Sequence, residues 1–166
     1  FGFNGGSTRF IDYVPHVILT TMFAASAGGL AVLFYSPLVT GYKVKLTSII
    51  NGLLGGLVSI TASSAYVDVL VACIIGAVGG ILVLVGESIL DLVKIDAPVS
   101  AVPVHLFCGV WGTMAVGIFS QSFSREFNGV NNGTQQIFYQ LLGSGCVIIT
   151  TLCLSLLTWM LVGLFL

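Results

Sequence analysis

The sequence has 166 residues, of which 57% are hydrophobic and 7% are charged, with a mean hydropathy of +1.10 and a net charge of −1. Soluble domains carry about 25% charged residues, so this composition excludes a water-exposed globular surface and predicts an integral protein of the lipid bilayer. The near-neutral charge and the lack of a basic patch argue against a nucleic-acid partner.

In chain order, residues 1–7 have the composition of a helix end, and we expect the sequence to be an incomplete part of a longer protein. Five apolar segments follow, each near the length of about 20 residues that a membrane-spanning helix needs. The predicted spans are 15–40, 46–62, 67–90, 99–120 and 137–166. These spans predict an all-α polytopic membrane protein, with residues 1–166 forming a single, incomplete membrane domain.

The charged residues of the polar links predict an orientation. Because successive links alternate between the two sides of the membrane, Lys43, Lys45 and Lys94 share one side, and Arg9 and Arg125 share the other. Basic residues are enriched in cytoplasmic loops, so the lysine links are predicted to be cytoplasmic.

Small residues recur four positions apart on several of the spans. This spacing lets the backbones of neighbouring helices approach closely and predicts a compact bundle. The residues concerned are Gly52 and Gly56, Gly76 and Gly80, and Gly109, Thr113 and Gly117.

His105 stands inside an apolar run, V-P-V-H-L-F-C-G-V-W-G-T, in a chain with only two histidines. It lies six residues into its span, about 9 Å along a helix. Ionisable groups at such depth usually face a cavity or a partner, so we expect a neutral imidazole with either a pathway role or a structural hydrogen bond. Phe107 and Trp111 supply bulk suited either to the wall of a passage or to helix packing. His16, beside Pro15 at a helix start, is interpreted as structural.

Enzyme chemistry is not indicated by this sequence. No nucleophile, base and metal-ligand combination appears, and the four cysteines lie in apolar runs without metal-type spacing. We therefore predict no catalytic residues, no metal site and no cofactor.

Several stretches together resemble the ammonium transporter family, which comprises Amt, Mep and Rhesus proteins. The clearest is K-I-D-A-P-V-S-A-V-P-V-H-L-F-C-G-V-W-G-T-M-A-V-G-I-F, which is similar to the histidine-bearing tenth helix of the family and the link before it. F-G-F-N-G-G-S resembles the end of the sixth helix. T-T-M-F-A-A-S-A-G-G-L, N-G-L-L-G-G-L-V-S-I-T-A and I-I-G-A-V-G-G-I-L-V resemble the next three helices in order. The resemblance covers the whole sequence, and the last span corresponds to the eleventh helix.

The resemblance implies that the sequence is the C-terminal half of an eleven-helix, inverted-repeat bundle. The two halves of such a bundle enclose a narrow apolar pore, and the subunits assemble as a homotrimer. His105 matches the second of two touching pore histidines, Phe3 one of two phenylalanines that close the outer mouth, and Ser7 a serine of the outer recruitment site. The implied function is transport of ammonium or ammonia across the cell membrane for nitrogen uptake, through a channel-like pore with a paired-histidine relay.

Two alternatives remain open at this stage. The same bundle joined to a signalling domain is an ammonium-sensing receptor, and a purely structural bundle leaves His105 and Ser7 without a role. A PII-family regulator is the possible partner of a transporter, and a fused signalling domain is the possible partner of a sensor.

Overall fold

The computed structural model describes residues 1–8, 10–40, 44–120 and 133–164. The described elements are all helical, which confirms the predicted fold class. Arg9, Lys43 and Arg125 lie outside the described residues. In chain order the elements are α1 (Gly2–Ser7), a 3-10 turn (Ile11–Tyr13), α2 (Val14–Thr40), α3 (Leu46–Ile60), α4 (Val69–Leu92), a π-helical segment (Val102–Phe107), α5 (Cys108–Phe119) and α6 (Gly133–Gly163).

Four described helical stretches are long and apolar enough to cross a membrane, namely Ile11–Leu38, Val69–Leu92, Val102–Phe119 and Thr134–Gly163. The remaining predicted span, 46–62, is shorter than expected because α3 ends at Ile60. Its 15 residues rise about 22 Å, less than the roughly 30 Å of a hydrocarbon core. The Thr61 hydroxyl donates to the Leu57 carbonyl, and tight turns replace the helix beyond Ile60.

Long-range hydrogen bonds define the two ends of the bundle. At one end the Thr20 hydroxyl donates to the Ser64 carbonyl at 2.8 Å, and the His16 ring N–H donates to the Val67 carbonyl at 2.9 Å. This bond agrees with the structural interpretation of His16. At the opposite end, which we call the lysine end because it holds Lys45 and Lys94, the start of α3 adjoins the end of α4. Helices α2, α3 and α4 therefore run alternately up and down.

Glycines hold α2, α3 and α4 in direct backbone contact. A Cβ atom at either Gly56 or Gly76 would collide with the Ala24 carbonyl of α2, and a Cβ atom at Gly80 would collide with the Gly28 carbonyl. These contacts confirm the predicted close approach of the backbones. In lipid, where hydrophobic burial between helices gains little, the van der Waals packing at such contacts stabilises the bundle. Gly109 differs, because its Cβ position is open: among the described residues, no atom of another helix lies within 4 Å of it.

We expect Gly76→Ala to destabilise the bundle, because the added methyl group forces α2 and α4 apart. Overpacking of this kind costs about 1–3 kcal/mol. The measurement is the midpoint of thermal unfolding in detergent. Gly143→Ala on α6 is the matched control, since its Cβ position is open in the described part of the chain. Equal midpoints for the two variants would contradict the role given to backbone contact.

Candidate functional site

The described helices line an open cavity of about 590 Å³ between α1, α2, α3, the π-helical segment and α5. Its lining includes the aromatic side chains of Phe1 and Phe3 and the imidazole of His105. Most of the remaining lining is aliphatic or glycine, with a few small polar groups. These residues are Asn4, Thr21, Leu57, Val58, Thr61, Ala62, Gly109, Gly112 and Thr113.

The other polar side chains around the cavity each make a hydrogen bond within the protein. The Asn4 amide N–H donates to the Thr21 hydroxyl at 3.0 Å, and that hydroxyl donates in turn to the Val17 carbonyl at 2.6 Å. The Thr61 hydroxyl donates to the Leu57 carbonyl at 2.9 Å, and the Thr113 hydroxyl donates to the Val110 carbonyl at 2.8 Å. The hydroxyl donors of the cavity wall are therefore used within the protein.

His105 is the exception in this wall. Within the described part of the chain its imidazole makes no hydrogen bond, and the side chain is exposed to the cavity. It belongs to a π-helical segment, an irregularity that is frequent at functional sites. Pro103, which lacks a backbone N–H, lies in the same segment. The sequence therefore folds locally into a distorted helical turn that carries a free imidazole.

One face of the helix after His105 lines the cavity. His105, Gly109 and Thr113 are spaced four residues apart and therefore lie on the same side, with Gly112 beside them. The sequence analysis assigned Gly109 and Thr113 to helix packing, but their shared face with His105 is readable from the spacing alone. Asn4 and Thr21 were also missed. An amide directly after Phe3 in an apolar helix was the available signal, because a buried amide needs a partner.

The other predicted site residues lie apart from this cavity. The Ser7 hydroxyl donates to the Phe3 carbonyl at 2.7 Å, at the exposed end of α1. The Trp111 indole N–H donates to the Ile75 carbonyl of α4 at 3.1 Å, and the ring packs on the buried core. Phe107 lies against Gly86 of α4. The structure thus brings Phe3 and His105 together, whereas Trp111 and Phe107 contact α4.

Comparison with known proteins agrees with this arrangement of helices. The model of the Ammonium Transporter Family matches residues 1–166. The chain belongs to this family. Among curated relatives, the putative ammonium transporter sll1017 of Synechocystis sp. is 40% identical over 135 residues, covering 77% of this chain and 30% of the relative. Ammonium transporter Amt2 of Archaeoglobus fulgidus is 37% identical over 122 residues, covering 72% of this chain and 26% of the relative.

Two solved structures extend the similarity to three dimensions. A structure named Sensor Amt Protein shares 35% sequence identity with a TM-score of 0.79, and Mep2 of Saccharomyces cerevisiae shares 25% with a TM-score of 0.80. Each similarity covers 93% of this chain and 40% of the other. The chain spans between a quarter and a third of the length of these two curated relatives, so it represents one segment of their architecture.

We expect Trp111→Phe to lower the free energy of unfolding by about 1 kcal/mol, because the Ile75 carbonyl loses its indole donor. The measurement is the midpoint of thermal unfolding in detergent. Trp159→Phe is the control, since Trp159 is 75% exposed on α6. Equal midpoints for Trp111→Phe and the wild type would contradict the structural role of the indole hydrogen bond.

Proposed function

We propose that the protein conducts ammonium or ammonia across a cell membrane, and that the cavity between Phe3 and His105 is part of the pathway. The observation that carries this proposal is the free imidazole of His105 in a cavity whose other polar groups are internally bonded. Membership of the Ammonium Transporter Family and the curated relatives named as ammonium transporters support the choice of substrate.

The physical reason for an imidazole in such a pathway is the cost of desolvation. An ammonium ion that enters an apolar cavity without compensating partners loses hydration worth many kcal/mol. If the ion gives up its proton at the mouth, neutral ammonia can pass at much lower cost. A neutral imidazole offers one acceptor and one N–H donor, so it can hydrogen-bond ammonia or relay the separated proton.

The proposed roles follow the geometry from the mouth inward. Ser7 and Phe3 lie at the end of the bundle opposite the lysine end, where Ser7 would help to recruit the cation and Phe3 would close the entrance. His105 lines the same cavity as Phe3, and its proposed partner is a second histidine supplied by another segment of the protein. Assembly as a homotrimer is part of the same proposal.

The second candidate function is an ammonium-sensing receptor coupled to a signalling domain. It is favoured by one observation, the 35% identity to the structure named Sensor Amt Protein. The two functions differ in a measurable quantity, because a transporter passes ammonium-evoked current whereas a sensor binds ammonium tightly and passes little. A PII-family regulator would accompany the first function and a fused signalling domain the second.

We expect His105→Ala in the full-length protein to abolish the ammonium-evoked current in proteoliposomes, or to admit potassium, because the acceptor and donor of the relay are gone. His16→Gln is the matched control, because a glutamine amide can still donate to the Val67 carbonyl that His16 contacts. Unchanged current and selectivity in His105→Ala would refute the relay. A silent wild-type protein that binds ammonium would favour the sensor.

The orientation proposal has its own test. Cysteines introduced at Lys45 and Lys94 should react with a membrane-impermeant thiol reagent from the cytoplasmic side only, because both links lie at the lysine end. A cysteine at Thr8, at the opposite end, should react from the outside only. The reverse labelling pattern would invert the proposed direction of the pathway.

A further inference from the structure

A part-buried hydrogen-bond network joins α3, α4 and the link between α4 and α5 at the lysine end. One carboxylate oxygen of Glu87 on α4 accepts a hydrogen bond from the Asn51 amide of α3 at 3.0 Å and another from the Ser100 hydroxyl at 2.5 Å. Both donors are neutral and both bond to the same atom, Oε1. Glu87 therefore ties α3 and the α4–α5 link to one point on α4.

Ser100 is the residue from which the His105 segment starts. Its backbone has φ 51°, in the left-handed region that costs energy for any residue other than glycine. Its carbonyl accepts the first helical hydrogen bond, from the Val104 N–H at 3.0 Å. A conformation of this kind persists only where the surroundings hold it, and the bond to Glu87 is such a restraint.

A second contact between α4 and this segment lies one residue away. A Cβ atom at Gly86 would lie 3.0 Å from the Pro103 Cβ and 2.9 Å from the Phe107 Cδ2, so glycine lets both residues pack directly on α4. Gly86 and Glu87 thus contact the segment before and after His105. The imidazole itself is left free to face the cavity on the other side.

We propose that Glu87 is a positioning residue for the pathway. By holding Ser100, it fixes the first turn of the π-helical segment and so aims the His105 imidazole into the cavity. This inference rests on the proposed function, in which that imidazole contacts the permeating molecule. The proposed role of Glu87 depends on the position of its acceptor oxygen and not on its charge. Asn51 and Ser100 both donate to that oxygen, and an uncharged amide can supply an oxygen at the same place.

The test compares three variants of the full-length protein in the proteoliposome current assay. Glu87→Ala removes the acceptor for both donors, and we expect the maximal current to fall about tenfold, because Ser100 loses the bond that restrains its left-handed backbone. Glu87→Gln keeps an oxygen at the same position, so it should retain most of the current. The half-saturating ammonium concentration should change little in either variant, since Ser7 and Phe3 lie at the opposite end. Ser88→Ala is the matched control, because the Ser88 hydroxyl donates to the Leu84 carbonyl of its own helix.

A second measurement does not depend on transport. Hydrogen exchange of the amides of residues 101–107 should be faster in Glu87→Ala than in the wild type, and unchanged in Glu87→Gln and Ser88→Ala. Ser100→Ala, which removes one donor and leaves the Asn51 bond, should give the same local effect if Glu87→Ala does not fold. A silent wild-type protein with this exchange pattern would refute conduction and leave the positioning role supported.

Two results would overturn the inference. Equal losses of current in Glu87→Ala and Glu87→Gln, with normal exchange in both, would mean that the charge of Glu87 acts on the permeating species directly. Wild-type exchange and current in both Glu87→Ala and Ser100→Ala would mean that the packing of Pro103 and Phe107 on Gly86 is sufficient to hold the segment.

Discussion

Direct backbone contact between α2, α3 and α4 is the constraint on which the other features of this bundle depend. Lipid tails are as apolar as leucine side chains, so helices gain little from hydrophobic burial against one another in a membrane. Packing and polar contacts must supply the association energy instead. Gly56, Gly76 and Gly80 bring the helices close enough for carbonyls of α2 to lie where side chains would otherwise stand. A bundle held in this way has fixed helix positions, which a functional cavity requires.

The cavity follows from how α5 is attached to that bundle. Gly112 lies against the Ser59 backbone of α3, and the Trp111 indole bonds to the Ile75 carbonyl of α4. These two contacts set the rotation of α5 about its axis. With that rotation fixed, the face that carries His105, Gly109 and Thr113 is the one left toward the cavity. The large aromatic side chains of this segment serve as anchors on α4, while small residues and the imidazole form the wall.

Polar side chains within the bundle are distributed by the same physical rule, because an unpaired polar group costs several kcal/mol in an apolar medium. Threonine hydroxyls turn back to their own helices, Asn4 bonds to Thr21, and one oxygen of Glu87 accepts from Asn51 and Ser100. The Ser59 and Ser63 hydroxyls are buried without a hydrogen-bond partner among the described residues. The His105 imidazole differs from these serines because it is exposed to the cavity, where its hydrogen-bonding capacity is accessible.

The sequence by itself determined the membrane class, the order of the helices and the candidacy of His105, because apolar length and a rare ionisable residue are properties of a linear pattern. Phe3 became a candidate through the resemblance of residues 1–7 to the ammonium transporter family. The sequence also indicated the glycine contacts at residues 52, 56, 76 and 80. The early end of α3, the exposure of Gly109 to the cavity and the attachment of Trp111 to α4 were decided only by the tertiary structure. The same holds for the hydrogen bonds of Glu87. Its partners are 36 and 13 residues away along the chain. A side chain's role in a bundle depends on which face its helix turns inward, and only packing against distant residues fixes that rotation.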